Sequence, residues 1–142
     1  MKSEYHNAVF QIIKTGHWIT DMVSRELKEY GIYEPQFNVL RILQGAKGKP
    51  VSVNRILESM IQRSSNITRI IDKLEAKGLV ERTLCSTDRR KMDIVITPEG
   101  SALLKKLNKK VDEFHKPMMN NLTPDEARTL TELIIKLKQN VT

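Results

Sequence analysis

Cysteine is nearly absent from this sequence: of its 142 residues only Cys85 is one. A single thiol excludes an intramolecular disulfide framework and any multi-cysteine zinc site. Long apolar runs are missing as well, which excludes a membrane-spanning helix. The opening Met-Lys-Ser-Glu-Tyr-His carries no apolar secretory core, so a cytoplasmic protein is expected. Neither a glycine-rich phosphate loop nor a nucleophile–base pairing stands out, and His6, His17 and His115 lack the close pairing of metal ligands. An enzyme, a cofactor and a resident metal are therefore not expected. What is there is an ordinary globular balance, 39% hydrophobic and 29% charged, at a length that suits one domain with a core of its own.

Charge is present in excess and unevenly placed. Lys and Arg number 24 against 17 Asp and Glu, a net charge of +7. Residues 62–91 carry +4 and residues 35–61 carry +3, whereas residues 1–34 sum to −1 and residues 123–142 to zero. A basic middle between near-neutral ends suits a polyanion in the middle and another task at the ends; on charge alone, a solvated surface accounts for it equally.

Apolar spacing supplies the elements. Tyr5, Val9, Ile12, Ile19, Val23, Leu27 and Tyr30 recur at three-, four- and seven-residue steps, predicting a long amphipathic helix that ends at Gly31. A second apolar set on it, Phe10, Ile13, Trp18 and Met22, predicts packing on two sides. Pro35 opens a second helix, and residues 45–50 form a turn. Ser52 caps a third helix burying Val53, Ile56, Leu57 and Met60. A fourth runs from about Ser64 to Lys77 on an apolar face of Ile67, Ile70, Ile71 and Leu74, with Gly78 as its stop. Two strands, Leu79–Cys85 and Met92–Ile96, flank a basic tip and form a wing. Thr97 caps a fifth helix that Pro117 kinks or ends before its last turn, and Thr123-Pro124-Asp125-Glu126 is a capping box opening a sixth. The fold class expected is mainly α with a small β-wing, a winged helix-turn-helix lobe over 35–97. The helices of 1–30 and 98–142 are more than so small a lobe needs, so they are assigned to homodimerisation within one domain, 1–142.

Within this frame the outward side of the fourth helix offers Ser64, Ser65, Asn66, Thr68, Arg69 and Lys73, short or forked donors suited to base edges and phosphates of double-stranded DNA. Ser64 either caps the helix or contacts DNA, and Arg69 either pairs with a guanine or neutralises a phosphate. Ser52, at a helix start with free amides, is a candidate phosphate contact. In the wing, Asp88 can hold the Arg90 guanidinium, and an oriented arginine suits a narrow minor groove; Arg89 and Lys91 then track phosphates. Phe10, His17, Trp18 and Met22 line a lipophilic effector pocket, or else belong to core or interface. The dimer interface candidates are Val9, Ile13, Val111, Phe114, Met118, Leu133 and Leu137. Arg82, Arg89 and Arg90 are near enough in sequence to acidify the Cys85 thiol, which is otherwise structural or incidental. A non-specific nucleic-acid-binding or nucleoid-associated protein would share the charge, but would need neither an outward polar helix face nor a wing behind it.

Three segments in order, Asn66–Arg82, Asp88-Arg89-Arg90 and Ile96-Thr97-Pro98-Glu99-Gly100, resemble the MarR-type winged-helix transcriptional regulators of bacteria and archaea. Nearly the whole chain takes part in the likeness. One departure is Glu34, where the family often has Thr or Ser, which weakens a cap. The resemblance implies a homodimeric regulator, usually a repressor, on a pseudo-palindrome near its own gene, with a phenolic or other lipophilic ligand releasing many relatives from DNA. It also implies that Arg90 reads the minor groove and that Asp88 positions it. In the peroxide-sensing branch the reactive cysteine lies near the start of the first helix, where this chain has none.

Overall fold

The computed structural model describes residues 2–61 and 66–141. In chain order the elements are α1 (Lys2–Lys28), α2 (Glu34–Gly45), β1 (Val51–Ser52), α3 (Val53–Ser59), α4 (Ile67–Ala76), β2 (Val80–Leu84), β3 (Met92–Ile96), α5 (Pro98–Met119) and α6 (Pro124–Leu137). The chain divides into two compact units, Met1–Asn108 and Lys109–Thr142.

The first unit holds the core. Leu27 and Ile32 at the end of α1, Phe37, Val39, Leu40 and Leu43 of α2, Ile56 of α3, Ile67, Ile71 and Leu74 of α4, and Val80, Ile94 and Ile96 of the sheet are all buried. Fully burying side chains of this kind contributes roughly 1.5–3 kcal/mol each. The third helix buries Ile56 and Met60 and leaves Val53 and Leu57 half-buried, and Ile70 of α4 is likewise half-buried. Residues 3–18 of α1 are exposed throughout, so the two apolar sets of that stretch, Tyr5, Val9, Phe10, Ile12, Ile13 and Trp18, are uncovered in the single chain.

Three antiparallel strands make the sheet, in the order β1-β3-β2, where the sequence pattern predicts two. The addition is β1, in which Val51 pairs with Ile94 and Ser52 with Asp93. Two residues are too few to show an alternation, and Ser52 is also the N-cap of α3, its hydroxyl accepting from the Arg55 amide at 3.2 Å. In the wing, Val80 faces Ile96, Arg82 faces Ile94 and Leu84 faces Met92. Side chains alternate along a strand, so these six share one face. It is the face buried at Val80, Ile94 and Ile96.

Local signals set the helix ends. Gly78, at φ +73°, takes the left-handed position after α4; its amide bonds Glu75 O at 2.9 Å, and Leu79 N–H bonds Leu74 O at 3.0 Å. This closes the last turn and aims the chain into β2. At the second helix, Gln36 Oε1 accepts from the Tyr33 amide at 3.0 Å, so the cap sits one residue ahead of Glu34. Helix α5 runs two residues beyond Pro117 rather than stopping before it. A proline this near the end removes one intrahelical bond, and turn bonds from Asn120 and Leu122 to Pro117 O and Met118 O finish the helix.

The second unit joins the end of α5 to α6 through the capping box expected at Thr123. Its hydroxyl accepts from Glu126 N–H at 3.2 Å, and Glu126 Oε1 accepts from Thr123 N–H at 3.0 Å. Those bonds hold the Glu126 carboxyl below the usual carboxylate range. None of the residues of α6 is buried.

Thr97 joins the sheet to the helices. Buried before α5, it donates its hydroxyl to Gly78 O at 2.7 Å and accepts from Gly100 N–H at 3.0 Å, while its amide bonds Leu79 O at 3.0 Å. Gly100 is confined by this corner: a Cβ there would fall on the Leu79 carbonyl oxygen and 2.8 Å from Ile96 Cγ1. Gly100→Ala should therefore lower unfolding stability by about 1–3 kcal/mol in urea titrations; unchanged stability would show that the corner yields freely.

Candidate nucleic-acid interface

The rotational phase of α4 decides what the chain offers to a ligand. Ile67, Ile71 and Leu74 are buried on one side, and Asn66, Thr68, Arg69 and Lys73 are exposed around the rest of the helix. Asn66 occupies the N-cap position. Ser64 and Ser65 lie outside the described residues. Just after α3, the chain is tied back to α2 by the Asn38 side chain, whose Oδ1 accepts from Ile61 N–H at 2.9 Å. Lys77, just after α4, bonds Gly31 O through its ammonium. Ser52 is half-buried, with its oxygen engaged on the Arg55 amide and its own proton left to donate.

The wing tip is a short ordered turn. Cys85 N–H bonds Lys91 O at 3.0 Å and Lys91 N–H bonds Asp88 O at 3.1 Å, which closes the loop beyond the last strand pair. Asp88 Oδ1 accepts from the backbone amide of Arg90 at 3.0 Å. The carboxylate therefore fixes the turn through the Arg90 backbone, where the sequence suggests a grip on the guanidinium. Arg89, Arg90 and Lys91 all project as exposed cations.

Besides Lys77, a second cation of the basic segment is spoken for. Arg82 Nη1 donates to Glu75 Oε1 at 2.6 Å and Nη2 to Asp72 Oδ1, so the wing grips α4 through a forked ion pair. The charge sum over residues 62–91 contains Arg82, Asp72 and Glu75 alike and does not show that they pair. The signal that could have found the pair is the spacing of Asp72 and Glu75, three residues apart and thus on one flank of a helix.

The thiol of Cys85 is partly exposed at the base of this turn. It lies 3.2 Å from Thr87 Oγ1, and its pKa is lowered first by that hydroxyl and then by the amides of Thr87 and Asp88. The nearby arginines, invoked from sequence, are not the cause.

The other sequence candidates lie on the terminal helices. Phe10, His17 and Trp18 are exposed along α1 and Met22 is half-buried, with Lys14 Nζ 5.9 Å from the Phe10 ring centre. Of the interface candidates, Val9, Ile13, Leu133 and Leu137 are exposed, Phe114 and Met118 are half-buried, and Val111 is already buried at 8% exposure. Among the described residues no group of three or more acidic, histidine or cysteine side chains could hold a metal ion, and no helix is long and apolar enough to cross a membrane.

Alkylation of Cys85 should have its pH midpoint below the ordinary thiol value of about 8.5, and Thr87→Val should move it upward. A midpoint that ignores the substitution would remove the hydroxyl from the account.

Known proteins match this arrangement. The family model described as MarR family matches residues 32–92, the stretch from the start of α2 to the wing. The HTH-type transcriptional regulator PapX of Escherichia coli is 31% identical over 125 residues, covering 88% of this chain and 76% of PapX. PrsX, an HTH-type transcriptional regulator from the same species, is 34% identical over 124 residues, 87% of this chain and 74% of its own. Among solved structures, a mutant E. coli MarR in complex with operator DNA superposes with a TM-score of 0.81 at 25% identity, over 94% of this chain and 95% of that one. Bordetella bronchiseptica BpsR, whose DNA binding is regulated by 6-hydroxynicotinic acid, shares the fold with a TM-score of 0.79 at 18% identity, over 92% and 91% of the two chains. The chain belongs to the MarR family of winged helix-turn-helix transcriptional regulators.

Proposed function

We propose that this protein is a cytoplasmic homodimeric repressor that binds a pseudo-palindromic operator, α4 in the major groove and the wing tip in the minor groove. The observation that carries the reading is one compact unit presenting two separate cationic surfaces. One is the exposed Asn66, Thr68, Arg69 and Lys73 of a helix whose opposite side is buried; the other is the ordered Arg89-Arg90-Lys91 turn. In this reading Asn66 and Thr68 read bases, Arg69, Lys73, Arg89 and Lys91 meet phosphates or base edges, Arg90 enters the minor groove, and Ser52 donates to a phosphate. Ser64 and Ser65, outside the described residues, belong to the same proposed set. The operator complex of the E. coli relative supports DNA as the partner. The protein acts by occupancy rather than catalysis.

The terminal helices, 1–30 and 98–142, serve dimerisation. Leu133 of α6 is 57% exposed and Tyr5 of α1 is 66% exposed, and an isolated helix of 14 residues that buries nothing is marginal in water. A second copy is the partner that covers such faces symmetrically. We infer further that a small lipophilic or phenolic effector binds beside Phe10, His17, Trp18 and Met22 and releases the DNA, a reading supported by the regulation of BpsR by a small aromatic acid.

Fluorescence anisotropy on DNA from upstream of the protein's own gene, beside a scrambled duplex, tests the central claim. If each protomer neutralises about four or five phosphates, the dimer's log–log salt slope is on the order of −7 to −9. Selective binding at physiological salt is expected; equal, salt-steep binding to both duplexes would favour a basic protein that reads no sequence. Arg90→Ala should weaken operator binding by about 1–3 kcal/mol, and an unchanged affinity would sink the role of the wing. Placing Asp at Leu133 and Lys at Leu137 should yield monomers in sedimentation that bind DNA poorly. A tight-binding monomer would overturn the dimer.

A further inference from the structure

Arg82 stands in an unexpected place for a charge. Its strand partner is Ile94, its face is the one that buries Val80 and Ile96, and its side chain is only 23% exposed. From there the guanidinium reaches α4 and spends one nitrogen on Asp72 and the other on Glu75. The hydrogen bond donated to Asp72 raises the arginine's pKa first and Glu75 adds to it, so the charge persists throughout the physiological range.

The two carboxylates lie on a single flank of α4. At about 100° per residue, that flank falls between the buried Ile67–Ile71–Leu74 stripe and the outward face. Thr68 stands one turn earlier on the same flank, with Arg69 and Lys73 beyond it. Apolar burial sets which side of α4 faces outward but is non-directional about its distance and angle to the wing, whereas a forked guanidinium fixes distance and angle together. Without Arg82, moreover, two carboxylates on the recognition helix would confront a polyanion uncompensated.

We propose that Arg82 is a positioning residue for DNA reading, its fork to Asp72 and Glu75 holding wing and recognition helix in one fixed relation so that major- and minor-groove contacts fall in register. The proposal rests on the DNA-reading function proposed above. Both carboxylates are exposed and screened by solvent, so the pair adds little stability although Arg82 itself is largely covered; its role is geometric, and its loss appears in discrimination more than in unfolding.

The test uses the full-length protein. Binding sites are selected from random duplex DNA with the wild type. Affinities for the selected and a scrambled duplex are then measured across salt for wild type, Arg82→Met, Arg82→Lys and the double variant Asp72→Asn/Glu75→Gln, with thermal melts alongside. Arg82→Met should lower the ratio of specific to non-specific affinity roughly tenfold and leave the salt slope on scrambled DNA unchanged. Arg82→Lys, which keeps the charge but loses the fork, should recover part of the ratio. The double variant should bind scrambled DNA more tightly, having shed two negative charges, and yet discriminate as poorly as Arg82→Met. Should Arg82→Met fail to fold, the double variant, altered only at exposed positions, decides alone.

A slope reduced by about one per protomer in Arg82→Met, together with undiminished specific binding by the double variant, would make Arg82 a phosphate contact and overturn the proposal. Loss of preference at a single base position would make Asp72 a direct reader and overturn it equally. A selection that enriches no sequence sinks the DNA-reading function and this proposal together; a selected site whose ratio survives Arg82→Met sinks this proposal alone.

Discussion

Burial of Ile67, Ile71 and Leu74 against the first unit's core is the constraint on which the remaining arrangement rests. A helix of ten residues has one rotational phase that hides those three side chains, and in that phase Thr68, Arg69 and Lys73 stand outside. Rolling α4 by one residue would bring polar side chains into the core at several kcal/mol apiece. Everything polar at the surface of the helix is thus placed by what is apolar beneath it. The Gly78 turn and the hydroxyl of Thr97 then carry the same phase into the wing, because β2 leaves the helix through a bonded corner.

The two units differ in how completely they satisfy themselves. The first has a core drawn from α2, α3, α4 and the sheet, and among the described residues no buried side-chain nitrogen or oxygen lacks a hydrogen-bond partner. Helix α6 buries no residue, and residues 3–18 of α1 are exposed although they carry Tyr5, Phe10, Ile13 and Trp18. Conformational entropy costs on the order of 1–2 kcal/mol per residue ordered, and capping offsets only a small part of it. On the dimeric reading proposed above, the second copy supplies the missing burial. The same contact would then set the spacing between two recognition helices, near one DNA turn. A chain of this kind would separate its labour: the middle reads, and the ends measure.

Much of this was legible in the residues, and what was not has identifiable physical causes. Periodicity located each helix because each carries an apolar stripe, including the terminal ones whose stripes are uncovered in one chain. Gly78, Thr97 and Thr123 marked boundaries because left-handed backbone and capping hydroxyls are local needs, satisfied within a few residues of chain. Strand β1 escaped notice because two residues have no period, and its pairing with Ile94 and Asp93 is set some forty positions away. Of the two outcomes expected at Pro117, ending the helix is the one that does not occur, because the rule against proline weakens in a last turn. The Asp88 hydrogen bond was expected at the right residue and found on a different atom, the Arg90 amide. Sequence spacing can bring two residues together, but only backbone geometry decides which of their groups meet.

Charge shows the same limit more sharply. The sum over residues 62–91 is +4 whatever the fold, yet the sum does not say where the charge is free. Folding commits Arg82 to Asp72 and Glu75, and Lys77 to the Gly31 carbonyl. Among the described residues of this segment, the uncommitted exposed cations gather at two places, Arg69 with Lys73 on the helix and Arg89, Arg90 and Lys91 on the turn. A polyanion with phosphates at regular intervals can meet both places only if their separation is fixed. On the proposal above, an uncommitted Arg82 would leave the total at +4 and free two carboxylates with it, while leaving the two cationic surfaces free to shift against each other. For a protein that must distinguish one duplex from another, fixing that separation matters more than an additional charge, since charge strengthens binding to every sequence alike.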